Sequence, residues 1–305
     1  MNDPAIRFDR LTVLGLGLLG GSIAWAARER GVARVVVGSG RREAPLLEAR
    51  ARGLIDEAVP DPAKAVAGAD LVILATPVGS MASVLQAAAP ALAPGALVTD
   101  VGSVKSVLAE TLPGLLPSGV IYVGSHPMAG SHEKGPAHAR ADLLEGATCV
   151  VTPCPGDPPE AVARLEAFWS ALGARVVRRD ATAHDLEVAW ISHVPHALAF
   201  AFARALGDAP PEAGEVAGTG FRDFTRIARS DPELWAEILV ANRKAIEGPI
   251  ARVGRRLTEL ARAIESADVE ELDRWIAEAR AALGAHEERR ISPDPEAKIR
   301  RSGHA

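Results

Sequence analysis

Leu11-Thr12-Val13-Leu14-Gly15-Leu16-Gly17-Leu18-Leu19-Gly20 is the stretch that decides the fold of this chain. A short apolar run, suited to a buried strand, ends at Gly15 and passes through G-x-G-x-x-G into a helix-like stretch from Leu18 to about Arg30. The three glycines have separate tasks: Gly15 permits a tight turn, Gly17 leaves the backbone open to a pyrophosphate, and Gly20 lets helix and strand pack closely. A helix that starts at Leu18 and Leu19 offers free N–H groups and a partial positive charge to phosphate. In this strand–loop–helix context the motif predicts a dinucleotide site.

The same alternation continues downstream. Arg34–Val37, Asp70–Ala75, Ala96–Asp100, Val120–Val123, Thr148–Thr152 and Arg175–Val177 read as strands, the last two flanking a helical stretch over Glu160–Leu172. Strands alternating with helices predict a parallel sheet covered on both faces. After about Asp180 the β-like runs stop, and helical stretches occupy about 182–206, 232–247, 250–265 and 268–284. In the last two, Val253, Leu257, Leu260 and Ile264, and then Leu272, Ile276, Ala279 and Leu283, step by three and four and line one face each. Such stripes face a core or a second copy of the chain. The expected organisation is an α/β nucleotide-binding domain over 1–180 and an all-α domain over 181–305, its tail frayed after about 287.

Composition narrows the function. The chain has 305 residues and a net charge of −5, which disfavours a nucleic-acid partner, since such partners call for a basic surface. Only 4% of residues are aromatic, with a single Tyr, so a base-stacking platform is not expected either. Cys149 and Cys154 are too few for a disulfide scaffold and match no zinc spacing. The N-terminus lacks a signal-peptide layout and no apolar run reaches the ~18 residues of a membrane span, so a cytoplasmic protein without a membrane partner is expected.

The cofactor's identity turns on the end of the second strand, where NAD-binding proteins place an acid on the ribose 2′-hydroxyl. Here the sequence reads Val37-Gly38-Ser39-Gly40-Arg41-Arg42, with Gly40 at the acid's position. Ser39 can donate a hydrogen bond and Arg41 and Arg42 can pair with a 2′-phosphate, so NADP is expected over NAD. Thr76 and Pro77 follow the Asp70 strand, at the edge where open α/β sheets bind ligands.

Four further segments carry chemistry: Asp100-Val101-Gly102-Ser103-Val104-Lys105, Ser125-His126-Pro127-Met128-Ala129-Gly130-Ser131, Ser192-His193-Val194-Pro195-His196, and Phe221-Arg222-Asp223-Phe224-Thr225-Arg226-Ile227-Ala228. With the glycine loop and in this order, they resemble the prephenate/arogenate dehydrogenase family of tyrosine biosynthesis, over nearly the whole chain. The resemblance implies a Rossmann-type N-terminal domain and a helical dimerisation domain, hence a homodimer. It also implies oxidative decarboxylation of prephenate to 4-hydroxyphenylpyruvate, or of arogenate to tyrosine. His126 matches the catalytic histidine and Ser103 the serine that positions the substrate hydroxyl. Arg226 matches the carboxylate-binding arginine, and Ser192, His196 and Ser131 match pocket residues. Trp235 matches a tryptophan near the site, from the same or the partner subunit.

Chemistry makes sense of these residues. A neutral histidine near pH 7 accepts the hydroxyl proton as hydride leaves the same carbon, and a guanidinium pairs with a carboxylate through two N–H groups. His193 and His196 lie three apart, but no third ligand is evident and the reaction needs no metal, so none is expected. His193 and Trp190 read as packed residues, and Arg222 as a second anion contact or a solvated charge. The family commonly has an acid after A-G-S or A-G-T; here His132 stands there, followed by Glu133. Two histidines and Arg226 suit the prephenate dianion, with arogenate or dual specificity as the alternative. Another NADP-dependent reductase of the same two-domain plan, or a silent NADP sensor, fits the motif set less well. The length leaves no stretch for a fused mutase or regulatory domain, so a single-activity enzyme is expected.

Overall fold

The computed structural model describes residues 7–130 and 133–291. Six strands form one parallel sheet: β1 (Phe8–Leu14), β2 (Ala33–Ser39), β3 (Glu57–Ala58), β4 (Leu71–Leu74), β5 (Leu97–Asp100) and β6 (Ile121–Tyr122), in the order β3-β2-β1-β4-β5-β6. That order reverses between β1 and β4, and ligands of such sheets bind in the crevice outside the strand ends at the reversal. The register sets that edge level. Leu14 pairs with both Ser39 and Leu74, and Leu74 pairs with Asp100. The loops opening at Gly15, Gly40, Ala75 and Val101 therefore start side by side.

A second, three-stranded sheet holds β7 (Gly124–Pro127), β8 (Thr148–Thr152) and β9 (Arg175–Arg178), with β7 antiparallel to β8. The expected strand over Val120–Val123 is present as β6, shortened to two residues because the chain changes sheets at Val123. The S-H-P segment that follows it is itself a strand, β7. Gly124 permits the change, because a Cβ there would stand 2.5 Å from the Thr152 hydroxyl.

Six helices accompany the sheets: α1 (Leu18–Glu29), α2 (Glu43–Ala51), α3 (Pro62–Val66), α4 (Val78–Ala88), α5 (Ser106–Thr111) and α6 (Pro159–Ala171). Side chains alternate across each strand and split the interior into two cores. Leu11, Val13, Leu71 and Ile73 join Ile23 of α1, Leu46 of α2 and Phe168 and Trp169 of α6 on one face. Leu14, Val72, Leu74 and Val98 join Met81 and Leu85 of α4 and Leu108 of α5 on the other.

The helical part comprises α7 (Ala181–Val188), α8 (Val194–Ala205), α9 (Thr219–Thr225), α10 (Pro232–Ala241), α11 (Arg243–Glu265) and α12 (Val269–Ile291). The predicted helix over 182–206 is interrupted by a π-turn at Ala189–His193. Pro195 has no N–H for the carbonyl one turn back, and the wider turn absorbs the missing bond. Asp180 and Asp231 cap α7 and α10, accepting from the N–H groups of Ala183 and Leu234 at 2.8 Å. The predicted helix over 232–247 breaks at Asn242, which leaves the helical region at φ −99°, ψ 18°. By length and a mean hydropathy of 1.2, the run Ala181–Asp208 could also cross a membrane, a stretch the sequence reading did not single out. Within it His184, Asp185 and His193 are buried, whereas Glu187 and Arg204 are exposed.

Contacts cluster into two compact units, one up to Ile246 and one from Glu247. The second is a helical hairpin turning through Ala267, whose φ is +54°. Its stripes are only partly covered: Leu257, Ile264, Ile276 and Leu283 are exposed, whereas Val253, Leu260 and Leu272 are half-buried. Trp190, expected in the core, is 46% exposed. Helix α12 runs past 287 to Ile291, and the residues after it lie outside the described ones.

The glycine loop is the tightest point of the sheet edge. Gly15 has φ +109°, and a Cβ on Gly20 would stand 2.0 Å from the Gly15 carbonyl oxygen and 2.9 Å from Ala75 Cβ, whereas Gly17 faces open space. Gly20→Ala is expected to push α1 off the sheet, lowering stability by about 1–3 kcal/mol in urea unfolding. Gly17→Ala should stay within about 0.5 kcal/mol of the parent while weakening dinucleotide binding in titration calorimetry.

Candidate active site

A groove of about 760 Å³ lies along the level strand edge, lined by Gly15, Gly17, Gly40, Arg41, Arg42 and Thr76, with Pro77 at its rim. The first bond of α1 runs from Gly21 N–H to the Gly17 carbonyl at 2.9 Å, which leaves the N–H groups of Leu18, Leu19 and Gly20 without helical partners. The Leu18 and Leu19 side chains turn away into the protein; only their backbone can serve a ligand. The Thr76 hydroxyl is buried with no hydrogen-bond partner among the described residues. Arg41 and Arg42 are exposed and form no ion pair among the described residues. Ser39 differs from its expected role, because its hydroxyl donates to the Pro60 carbonyl at 3.1 Å. An open glycine backbone, a helix N-terminus, an orphaned hydroxyl and two unpaired guanidinium groups fit a phosphate-bearing dinucleotide.

Beyond the groove, β7 carries His126, 7% exposed. Its Nδ1 lies 2.8 Å from His184 Nε2, and His184 Nδ1 lies 2.8 Å from Asp185 Oδ1. Asp185 also accepts from the backbone N–H of Lys105 at 2.7 Å and of Ser106 at 2.8 Å. Burial alone would raise the Asp185 pKa, but the bonds from His184, Lys105 and Ser106 outweigh it and hold the group below the ordinary carboxylate value. Burial drives the His126 pKa well below 6.5, aided by His184, Lys105 and His193. His126 is therefore a neutral ring near pH 7.

Lys105 closes this cluster from below. It is fully buried; its Nζ pairs with Asp100 Oδ1 and donates to the Ser125 carbonyl at 2.8 Å. Asp100 also accepts from Tyr122 Oη and Gly102 N–H, each at 2.7 Å. One ammonium thus joins the end of β5 to β7, one residue before His126. Ser103 sits in the loop between Asp100 and Lys105, half-buried, its hydroxyl unbonded among the described residues.

His196 and Trp235 form the second group. Their rings stack at 3.6 Å with planes 19° apart, and His196 Nδ1 donates to the Ser192 carbonyl at 2.8 Å, leaving Nε2 as an acceptor. Burial lowers the His196 pKa; the Ser192 carbonyl opposes this and the Arg226 charge adds to it. Trp235 reaches this position from the same chain and packs on Val104 and Ile238. Arg226 is exposed, on a single 3₁₀ turn over Arg226–Arg229, and forms no ion pair among the described residues. His193 is buried, 2.9 Å from the Asn242 amide and edge-on to Trp235. Arg222 makes only a 3.5 Å contact to the Ala217 carbonyl. Ser131 and His132 lie outside the described residues, and Glu133 is 3.3 Å from His138 Nδ1.

Sequence reasoning missed His184, Asp185 and Asn242, and gave Lys105 no role. A His-Asp pair on the first helix after Asp180 was the available signal for the first two. Asn242 left none; it matters because it donates to the Asp185 carbonyl at 2.9 Å across 57 residues of chain.

Two family models match the chain: the nucleotide-binding domain of prephenate dehydrogenase over residues 23–178 and the dimerization domain of prephenate dehydrogenase over 180–278. The chain is 34% identical to the cyclohexadienyl dehydrogenase of Zymomonas mobilis over 86% of its own length and 90% of that protein's. It is 33% identical to the prephenate dehydrogenase of Bacillus subtilis, over 88% and 73%. A crystal structure of prephenate dehydrogenase from A. aeolicus, in complex with hydroxyphenyl propionate and NAD+, superposes with a TM-score of 0.84 at 29% identity, covering 92% of this chain and 99% of that one.

Two stability tests follow from the buried charges. Lys105→Met leaves the Asp100 charge buried without its counter-ion and is expected to cost about 3–5 kcal/mol in denaturant unfolding. His126 and His193 bind protons more weakly when folded than the ordinary 6.5, His193 down to about 4. Their contribution is complete above pH 6.5 and is lost as pH falls toward 4. The unfolding midpoint should drop across that window, less steeply in His193→Gln.

Proposed function

The chain belongs to the prephenate dehydrogenase family of oxidoreductases, and we propose that it oxidatively decarboxylates prephenate to 4-hydroxyphenylpyruvate, with NADP preferred over NAD. One observation carries the reading: a buried histidine, held neutral, on a strand pinned to the sheet edge that borders the dinucleotide groove. When bound, the nicotinamide takes the hydride from the hydroxyl-bearing ring carbon. The residues of the chain do the rest. His126 Nε2 accepts the hydroxyl proton as that C–H bond breaks. Carbon dioxide leaves, the ring becomes aromatic, and His126 returns the proton to the phenol oxygen, so no net proton is released. Ser103 orients the hydroxyl. Arg226 binds a substrate carboxylate, with Ser192, His196, Ser131 and Trp235 around the side-chain end.

NADP is supported by the absence of an acid at Gly40 and by the unpaired Arg41 and Arg42; Ser39 supports it less, its hydroxyl being bonded to Pro60. Arogenate or dual specificity is the second reading, favoured by the likeness to a cyclohexadienyl dehydrogenase. We further infer a cytoplasmic homodimer with domains over 1–180 and 181–305. The exposed apolar stripes of α11 and α12 suit the contact between the two copies.

Initial rates with prephenate and arogenate, each crossed against NADP and NAD, test the substrate and cofactor together. The highest kcat/KM is expected for prephenate with NADP; a clear NAD preference refutes the cofactor reading. Arg41→Ala/Arg42→Ala should raise the NADP KM roughly 10–100-fold, the worth of a charge-assisted bond, and leave that for NAD nearly unchanged. His126→Asn should lower kcat about 10²–10⁴-fold with dinucleotide affinity kept, whereas Arg226→Ala should act chiefly on substrate KM.

A further inference from the structure

We propose that His184 and Asp185 are positioning residues that lock His126 into the tautomer with Nδ1 protonated and Nε2 bare, so that a proton acceptor always faces the substrate. The inference rests on the proton-accepting role proposed above for His126, and deepens it.

The argument is one of donors and acceptors. Asp185 already takes two backbone N–H groups, from Lys105 and Ser106, at the start of α5. As a carboxylate it has only lone pairs to offer, so the 2.8 Å contact with His184 requires a proton on His184 Nδ1. A neutral His184 then has a lone pair on Nε2. The 2.8 Å contact with His126 Nδ1 in turn requires a proton on that nitrogen. Only Nε2 of His126 is left, without a proton and without a protein partner among the described residues. A cationic His184 would reverse the chain: it would hand an N–H to His126 and leave Nε2 protonated, unable to accept.

Burial makes the arrangement strict. His184 is 1% exposed and Asp185 4%, so both make their hydrogen bonds inside the protein and are held by close packing. The two rings meet at 67° with centroids 5.1 Å apart, an edge contact that points one nitrogen at another rather than stacking the faces. Asn242 holds the far end by donating to the Asp185 backbone carbonyl. Of the groups around His126, His184, Lys105 and His193 oppose a positive charge on the ring, His184 also faces its Nδ1, and the buried Cys149 thiol lies on the neighbouring β8. The relay has no exposed end, which makes it an orienting device and not a route for protons to solvent.

The test begins without substrate. In the full-length protein with ¹⁵N-labelled histidine, near pH 7.5, two-bond ¹H–¹⁵N spectra report which ring nitrogen carries the proton, and His126→Asn identifies the resonance. Nδ1 protonation of His126 is expected; a His126 protonated on Nε2 overturns the proposal, whatever the substrate proves to be. Kinetics then separate positioning from packing. His184→Leu removes the acceptor and should lower kcat about 10²-fold, with substrate KM and dinucleotide affinity within about twofold. His184→Gln places an amide oxygen where Nε2 stood and should restore the tautomer and most of that loss. Equal loss in both variants, or no loss in His184→Leu, overturns the proposal. Should either variant fail to fold, the parent spectrum still decides.

Discussion

One carboxylate organises the segments around His126. Asp185, on α7, accepts from the loop between β5 and α5 through two backbone N–H groups, from His184 through its ring, and lends its own carbonyl to Asn242 at the end of α10. A buried carboxylate is costly unless it is hydrogen-bonded, and here its donors are the neighbouring His184 ring and two backbone N–H groups some 80 residues away. The charge can be satisfied only when the start of α5 is docked on α7. Correct docking and correct chemistry are therefore one event: the contacts that neutralise Asp185 are those that orient His184 and hold Ser103 in its loop.

A second buried charge performs the same service for the sheet. Lys105 is fully buried, so its ammonium must find protein oxygen atoms, and it finds them on Asp100 at the end of β5 and on Ser125 in β7. That bond spans the place where the chain leaves the parallel sheet. Asp100 and Lys105 flank Ser103, and Ser125 precedes His126, so a single ion pair sets the spacing between the two segments that carry Ser103 and His126. The dinucleotide groove lies along the same edge because the register aligns Leu14, Ser39, Leu74 and Asp100.

Much of this was legible in the chain. The strand–glycine–helix entry, the alternation of runs and the change of pattern near Asp180 follow from local rules of periodicity and steric freedom, and β1, β2, β4, β5, α1 and α6 lie where those rules put them. The segments that misled did so for physical reasons. The Val120–Val123 run is uniformly apolar, and hydrophobicity does not record a change of sheet at a single residue. The stripes of α11 and α12 are amphipathic whether the apolar face meets a core or another surface, and in the chain itself Leu257, Ile264, Ile276 and Leu283 remain exposed. Trp190 was read as core on bulk alone; the π-turn rotates it outward.

What the sequence by itself determined is the inventory and the local geometry: a glycine loop whose Gly15 and Gly20 leave no room for a Cβ, helices that begin near 182 and 232, and the histidines, serines and arginines available for chemistry. Tertiary structure alone decided which of these meet. His126 and His184 are 58 residues apart, and Asp185 and Lys105 are 80 apart. Neither pairing leaves a periodic trace, because a hydrogen bond between distant segments depends on where two elements dock and not on the spacing within either. The same is true of the neutral state of His126. An imidazole in a sequence is a group that titrates near pH 6.5; only burial beside Lys105, His184 and His193 makes it an acceptor that stays uncharged.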